Sequence, residues 1–195
     1  MKYIIVVILT ASLLTIIIGG MALTNRSQNN NVVSAKLPGQ PIVFAASETS
    51  LDSPDGKDTL AVKETIGKDL DTYLFTTKSG FFFTKTESKL DTISIPFNSW
   101  SPDYKYVFLN ETVGGVNNYL VLSVSNKLFT GDSKFLNLTE AFIKKLPNFK
   151  LKEVTGWASP TLLVVNTDKE SGDQGPSFWY DITTQSFIQL STRFN

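Results

Sequence analysis

The 195-residue chain contains no cysteine and no histidine. The first absence excludes a disulfide framework, a thiolate metal site and a cysteine nucleophile. It also closes the bacterial lipoprotein route to a membrane, which needs a cysteine after the signal. The second removes the commonest general base and the commonest metal ligand, so a Ser-His-Asp triad cannot be built from this chain alone. Excess charge of either sign is missing as well, with 18 Lys+Arg against 18 Asp+Glu. A neutral balance gives no broad field to draw in nucleic acid, which is not expected as a partner. No two glycines stand at i and i+2, and Gly56-Lys57 and Gly67-Lys68 are each followed by Asp, so phosphate-cradling loops are excluded. No serine stands three residues before a lysine, which removes the Ser-x-x-Lys acyl-transfer pattern.

What is abundant is apolar and aromatic. Hydrophobic residues make up 42% of the chain, and 14 Phe and 6 Tyr dominate an aromatic share of 12%, a composition that favours strands. The longest apolar run is Tyr3–Leu23, preceded by Lys2 and broken only by Thr10, Ser12, Thr15 and Gly19-Gly20. As a helix it spans about 31 Å, the thickness of a bilayer's hydrocarbon core. It has no polar face at helical spacing, which argues against a core helix of a soluble protein. Cleavage near Ala22, after the small residues Gly20 and Ala22, is the alternative. The run is longer than a usual signal-peptide core and favours an uncleaved anchor, with the C-terminal part outside the cytoplasm. Residues 24–40 are polar and Asn-rich and then carry Pro38, so they read as a tether. Residues 41–195 are left for the folded domain.

Within that domain a pattern recurs. Ser53-Pro54-Asp55-Gly56-Lys57 precedes Leu60-Ala61-Val62. Trp100-Ser101-Pro102-Asp103-Tyr104-Lys105 precedes Tyr106–Leu109, and Trp157-Ala158-Ser159-Pro160 precedes Leu162–Val165. In such a turn Pro fixes φ, Asp bonds the backbone and Gly takes the φ > 0 position. At closely similar distances each turn is followed by a second aromatic-rich segment: Thr72–Thr76, Asn118–Leu122 and Phe178–Ile182. A short turn and a further strand come next, at Phe81–Thr84, Leu128-Phe129 and Ser186–Leu190. Leading strands are expected at Ile42–Phe44, Thr92–Ile95 and Lys150–Val154. The pattern therefore predicts three units of four short strands, an all-β domain, with Trp100 and Trp157 packed between neighbouring sheets.

These motifs resemble the TolB-type β-propeller repeat, also seen in the propellers of prolyl-oligopeptidase-like enzymes. The resemblance covers roughly residues 42–190 and implies three propeller-like blades of four antiparallel strands. The first copy has Leu51-Asp52 where the second has Ser99-Trp100, the second has Tyr104 for Gly56, and the third has neither Asp nor Gly. Asn137–Leu146 breaks the pattern. Its spacing predicts a short helix capped by Thr139, with Leu138, Phe142, Ile143 and Leu146 on one face. Fewer than four blades leave two open ends, each expected to expose apolar surface. An open stack is the favoured arrangement over a six-unit ring of two chains or a collapsed sandwich.

Function follows by elimination. Asp55 and Asp103 have turn roles, Asp168–Asp173 lacks the ligand spacing of a calcium loop, and no catalytic, cofactor-binding or metal-binding residue is assigned. A binding or scaffold role is expected, for an unknown protein partner or through self-association. Its surface is placed on the loops Lys63–Asp71, Glu111–Asn118 and Asn166–Ser177, with Glu64, Asp69, Asp168 and Glu170 as candidate contacts. The enzyme alternative is an accessory propeller domain of a peptidase or glycosidase whose catalytic domain is on another chain. The membrane expectation is checked directly: full-length protein should stay in the membrane pellet through a carbonate wash, and protein lacking residues 1–23 should not sediment with membranes.

Overall fold

The structure, a computed structural model, describes residues 47–125, 127–129 and 131–193. The expected membrane segment, the tether and the leading strand at Ile42–Phe44 lie outside the described residues. Within them, no helix is long and apolar enough to cross a membrane.

The described part is all-β apart from one short helix. Sheet 1 is the meander β1 (Ser47–Asp52), β2 (Thr59–Ile66), β3 (Leu70–Thr77) and β4 (Phe82–Ser88). Sheet 2 is β5 (Thr92–Ser94), β6 (Tyr106–Val113), β7 (Val116–Ser123) and β8 (Phe135–Asn137). Helix α1 (Leu138–Lys145) follows. Sheet 3 is β9 (Phe149–Ser159), β10 (Leu162–Lys169), β11 (Gln174–Asp181) and β12 (Ser186–Gln189). Every pairing is antiparallel between sequence neighbours, so each sheet is assembled from local hairpins and none closes into a barrel.

Side-chain alternation stacks the sheets. Val107, Leu109, Leu120 and Leu122 of sheet 2 join Leu60, Val62, Tyr73, Phe75 and Phe83 of sheet 1 in one core. Their neighbours Tyr106, Phe108, Tyr119 and Val121 point the other way, into a second core with Leu163, Val165, Phe178 and Tyr180 of sheet 3. Sheet 2 is thus buried on both faces, which is why β6 and β7 read as continuous apolar runs. Each fully buried Leu or Phe contributes roughly 1.5–3 kcal/mol, far more than any exposed ion pair here, so the two inter-sheet cores hold the domain. The outer face of sheet 1 is different. Lys63, Thr65, Thr72, Thr84 and Thr86 alternate with the buried residues, and Leu70, Leu74 and Phe82 are exposed apolar residues on the same face. The expected apolar surface at this end is present in part: period-2 patterning turns Lys63 and threonines to water, beside exposed Leu70, Leu74 and Phe82.

A second bond repeats between sheets. The Trp100 indole Nε1 donates to the Leu51 carbonyl at 3.2 Å, and the Trp157 Nε1 donates to the Ser99 carbonyl at 2.8 Å. Leu51 and Ser99 each stand two residues before the serine of their own turn motif. Each tryptophan therefore reaches back to the equivalent carbonyl of the preceding unit. Trp157 also stacks on Tyr106, with ring centroids 6.3 Å apart and an interplanar angle of 29°.

Three details differ from expectation. The first leading strand is Ser47–Asp52, because Ser47 to Asp52 pair residue by residue with Glu64 to Thr59. The last strand of sheet 2 is Phe135–Asn137, not Leu128-Phe129; Phe129 makes one bridge, to Ser133, around a turn with Gly131 and Asp132 at positive φ. Helix α1 is capped by Asn137, whose side chain accepts from the Glu140 N–H at 2.9 Å. Thr139 instead accepts from the Tyr119 N–H at 2.9 Å and ties the helix to β7, while Ile143 is 65% exposed rather than buried. Replacing Trp157 by Phe keeps a ring but removes the bond to Ser99. The expected cost is about 1–2 kcal/mol, read as a lower urea midpoint with unchanged slope.

Candidate functional site

The repeated turns are alike atom by atom. In the first, the Ser53 Oγ donates to Asp55 at 2.7 Å and accepts from the Asp58 N–H at 3.0 Å, while the Gly56 N–H donates to the Ser53 carbonyl at 2.8 Å. In the second, the Ser101 Oγ donates to Asp103 at 2.8 Å and accepts from the Tyr106 N–H at 3.0 Å, and the Tyr104 N–H donates to the Ser101 carbonyl at 2.9 Å. Lys57 pairs with Asp55 at 3.4 Å and Lys105 with Asp103 at 3.0 Å. The Ser53 hydroxyl, then Lys57, holds the Asp55 carboxyl below its ordinary range. Burial opposes the same shift at Asp103, but the bonds from Lys105 and Ser101 outweigh it. At Pro160 the turn has shrunk to a tight hairpin in which Ser159 pairs with Leu162, so no Asp or Gly position remains.

The turns bring the three units together at one end of the stack. An open groove of about 570 Å³ lies there. The first unit gives it Leu51, Asp52 and Pro54, and the third gives Trp157. The second gives Trp100 and Pro102 together with Phe97, Asn98 and Tyr104. Phe97 is 92% exposed. Tyr104 occupies the left-handed region, φ 60°, where its counterpart Gly56 has φ 69°. A tyrosine there costs roughly 1–2 kcal/mol relative to relaxed backbone, as do Asp132 and Gln185 at φ 59° and 52° in other turns. The sequence displayed Tyr104 as a departure from the repeat, but Phe97 carried no signal, because its exposure depends on the chain's path between β5 and Trp100.

The acidic residues singled out from the sequence do not form one site. Glu64 is in β2, where its carboxylate accepts from Tyr73 at 3.0 Å and Ser47 at 2.7 Å. Asp168 is in β10, with the Arg193 guanidinium 3.8 Å away. Asp69 and Glu170 are exposed in turns, Glu170 beside Lys150 at 3.4 Å. The loops meant to present them are mostly strand. What remains between strands is 67–69, Gly114-Gly115 and 170–173, the glycine pair having φ 57° and 81°.

A buried ionic group does sit at that end, between sheets 1 and 2. Lys85 of β4 bonds both Glu87 of its own strand and Glu111 of β6. The two carboxylates are 9% and 5% exposed, and Asp71, at 7%, lies across the ladder from Glu87. Burial, together with Glu87, pushes the Glu111 carboxyl up from its ordinary 4.5 despite the lysine. Burial alone would lower the Lys85 ammonium, but Glu111 and Glu87 raise it. Burial and the Glu64 carboxylate push the Tyr73 hydroxyl up to about 12. Each acid has a structural partner, and among the described residues no group of three or more His, Asp or Glu is placed to hold a metal. Scans against protein-family models, curated proteins and solved structures returned no match to this chain.

The ionic group gives a pH test. A raised Glu111 pKa means the folded state holds its proton more tightly, so its contribution is full below pH 4.5 and is lost as pH rises through the folded value. Glu111→Gln should therefore be more stable than the native chain at pH 7, with the advantage vanishing below about pH 4. Lys85→Met leaves two buried carboxylates unpaired and should cost about 3 kcal/mol at pH 7, shrinking as they protonate. Urea midpoints measured from pH 3 to 8 check both.

Proposed function

We propose that the chain is a membrane-anchored, extracytoplasmic binding or scaffold module, propeller-like in its stacking and without catalysis of its own. Three sequential four-stranded meanders packed face to face through repeated tryptophans support a likeness to propeller blades of the TolB type. The observation that carries the binding reading is the groove at the turn end. It collects equivalent positions from all three units, exposes Phe97 almost fully and retains a strained Tyr104 at its rim. Aromatic rings of this kind gain more from a partner than any other side chains because they desolvate a large area at small entropic cost.

The partner is sought with a photo-crosslinking residue at position 97 in the native membrane, and at Lys63 on the polar face of sheet 1 as control. Discrete adducts at 97 that are absent at 63 are expected. Tyr104→Gly should raise the stability of the protein by about 1 kcal/mol while diminishing those adducts. Equal labelling at both positions, or unaided hydrolysis of peptide or glycoside substrates by the purified protein, would contradict this function.

A further inference from the structure

The geometry of the groove points to an extended, proline-containing peptide segment bearing a basic residue as its ligand, an inference that rests on the binding reading above. The walls are rings and ring-like edges: Pro54 and Pro102 from two turns, Phe97 and Tyr104 at the rim, with Trp100 and Trp157 beneath. Such a surface matches the polyproline II helix, which is preformed, has no internal hydrogen bonds and docks its pyrrolidine rings between aromatic side chains. Its carbonyls stay hydrated in the complex, so it asks few hydrogen bonds of the protein. The groove offers three polar side chains, Asp52, Asn98 and the Tyr104 hydroxyl. A carbohydrate would ask far more, since nearly every carbon carries a hydroxyl and each one buried without a partner costs about 1–3 kcal/mol.

Charge narrows the ligand further. In the flanking turns Lys57 pairs with Asp55 and Lys105 with Asp103, while Asp58 has only backbone and hydroxyl partners among the described residues. Asp52 is exposed at the rim and accepts from the Thr59 hydroxyl at 2.6 Å, with no cation paired to it among the described residues. Asp52 is the one carboxylate in the groove lining, and it orients a ligand carrying Lys or Arg at one end more than it tightens binding.

Full-length protein in detergent micelles is titrated against fluorescent decaproline peptides ending in Lys or in Glu, with anisotropy as the readout. The Lys peptide is expected to bind more tightly than the Glu peptide. Phe97→Ser and Tyr104→Gly should each weaken it by about tenfold or more. Asp52→Asn, which keeps an oxygen for Thr59, should erase the Lys-over-Glu preference without changing the thermal melt. Equal binding by the native chain and Phe97→Ser would overturn the assignment to this groove. If a cello-oligosaccharide or a proline-free peptide binds at the groove and decaproline does not, the ligand class is wrong and the binding reading stands. If none of these binds and the residue-97 crosslinker captures nothing, both fall together.

Discussion

The indole-to-carbonyl bond between consecutive units is the interaction on which the stacking register depends. Hydrophobic burial drives the sheets together but is non-directional, and it would accept many offsets of one flat apolar face on another. Trp100 onto Leu51 and Trp157 onto Ser99 select one offset, and the same one twice. The bond also has a direction, since each unit donates to the one before it. That explains a departure that looked like decay of the repeat. The first unit has Asp52 where the second has Trp100, and among the described residues no sheet precedes sheet 1 to accept an indole. The same position, released from stapling, supplies the groove with its carboxylate.

Much of this fold was legible because its information is local. The serine-proline-aspartate turns, the alternating strands after them and the count of three units all follow from residues close in sequence. What misled was equally physical. Lys63–Asp71 and Glu111–Asn118 are polar and look like loops, yet strand residues such as Glu64 and Glu111 are polar because they meet Tyr73 and Lys85 across the ladder or across the sheets. Leu128-Phe129 has strand propensity but no neighbour at the right register, and Phe135–Asn137 pairs with Leu120–Leu122 in its place. Thr139 has the chemistry of a cap, but the β7 backbone claims its hydroxyl, and Asn137 takes the role. The groove was not legible at all, since it is assembled from turn residues far apart in the chain.

The two turn motifs also show where the domain gives up stability. Gly56 and Tyr104 occupy the same backbone conformation within the same set of hydrogen bonds, so the difference between them is nearly pure conformational cost. Under the proposed reading, the large, partly exposed ring at the more costly position on the rim of the groove is where binding competes with stability.

Direction in the stack bears on how its ends are met. A six-unit ring of two chains is a head-to-tail assembly and needs unit 1 of one copy to join unit 3 of the other. That joint would lack its donor, because position 52 is aspartate, and it would press the threonine face of sheet 1 against its neighbour. Burying Lys63, Thr65 and Thr84 there would cost free energy that the apolar joints between sheets 1, 2 and 3 do not. The outer face of sheet 1 is mixed, with Lys63 and threonines beside exposed Leu70, Leu74 and Phe82. The outer face of sheet 3 is apolar, with Val164, Trp179 and Ile188 side by side and Ile188 47% exposed. The two ends of the stack therefore differ, mixed at sheet 1 and apolar at sheet 3. Under the proposed reading the turn-end groove meets a partner by a surface distinct from either outer sheet face, because it is built from turn residues of all three units.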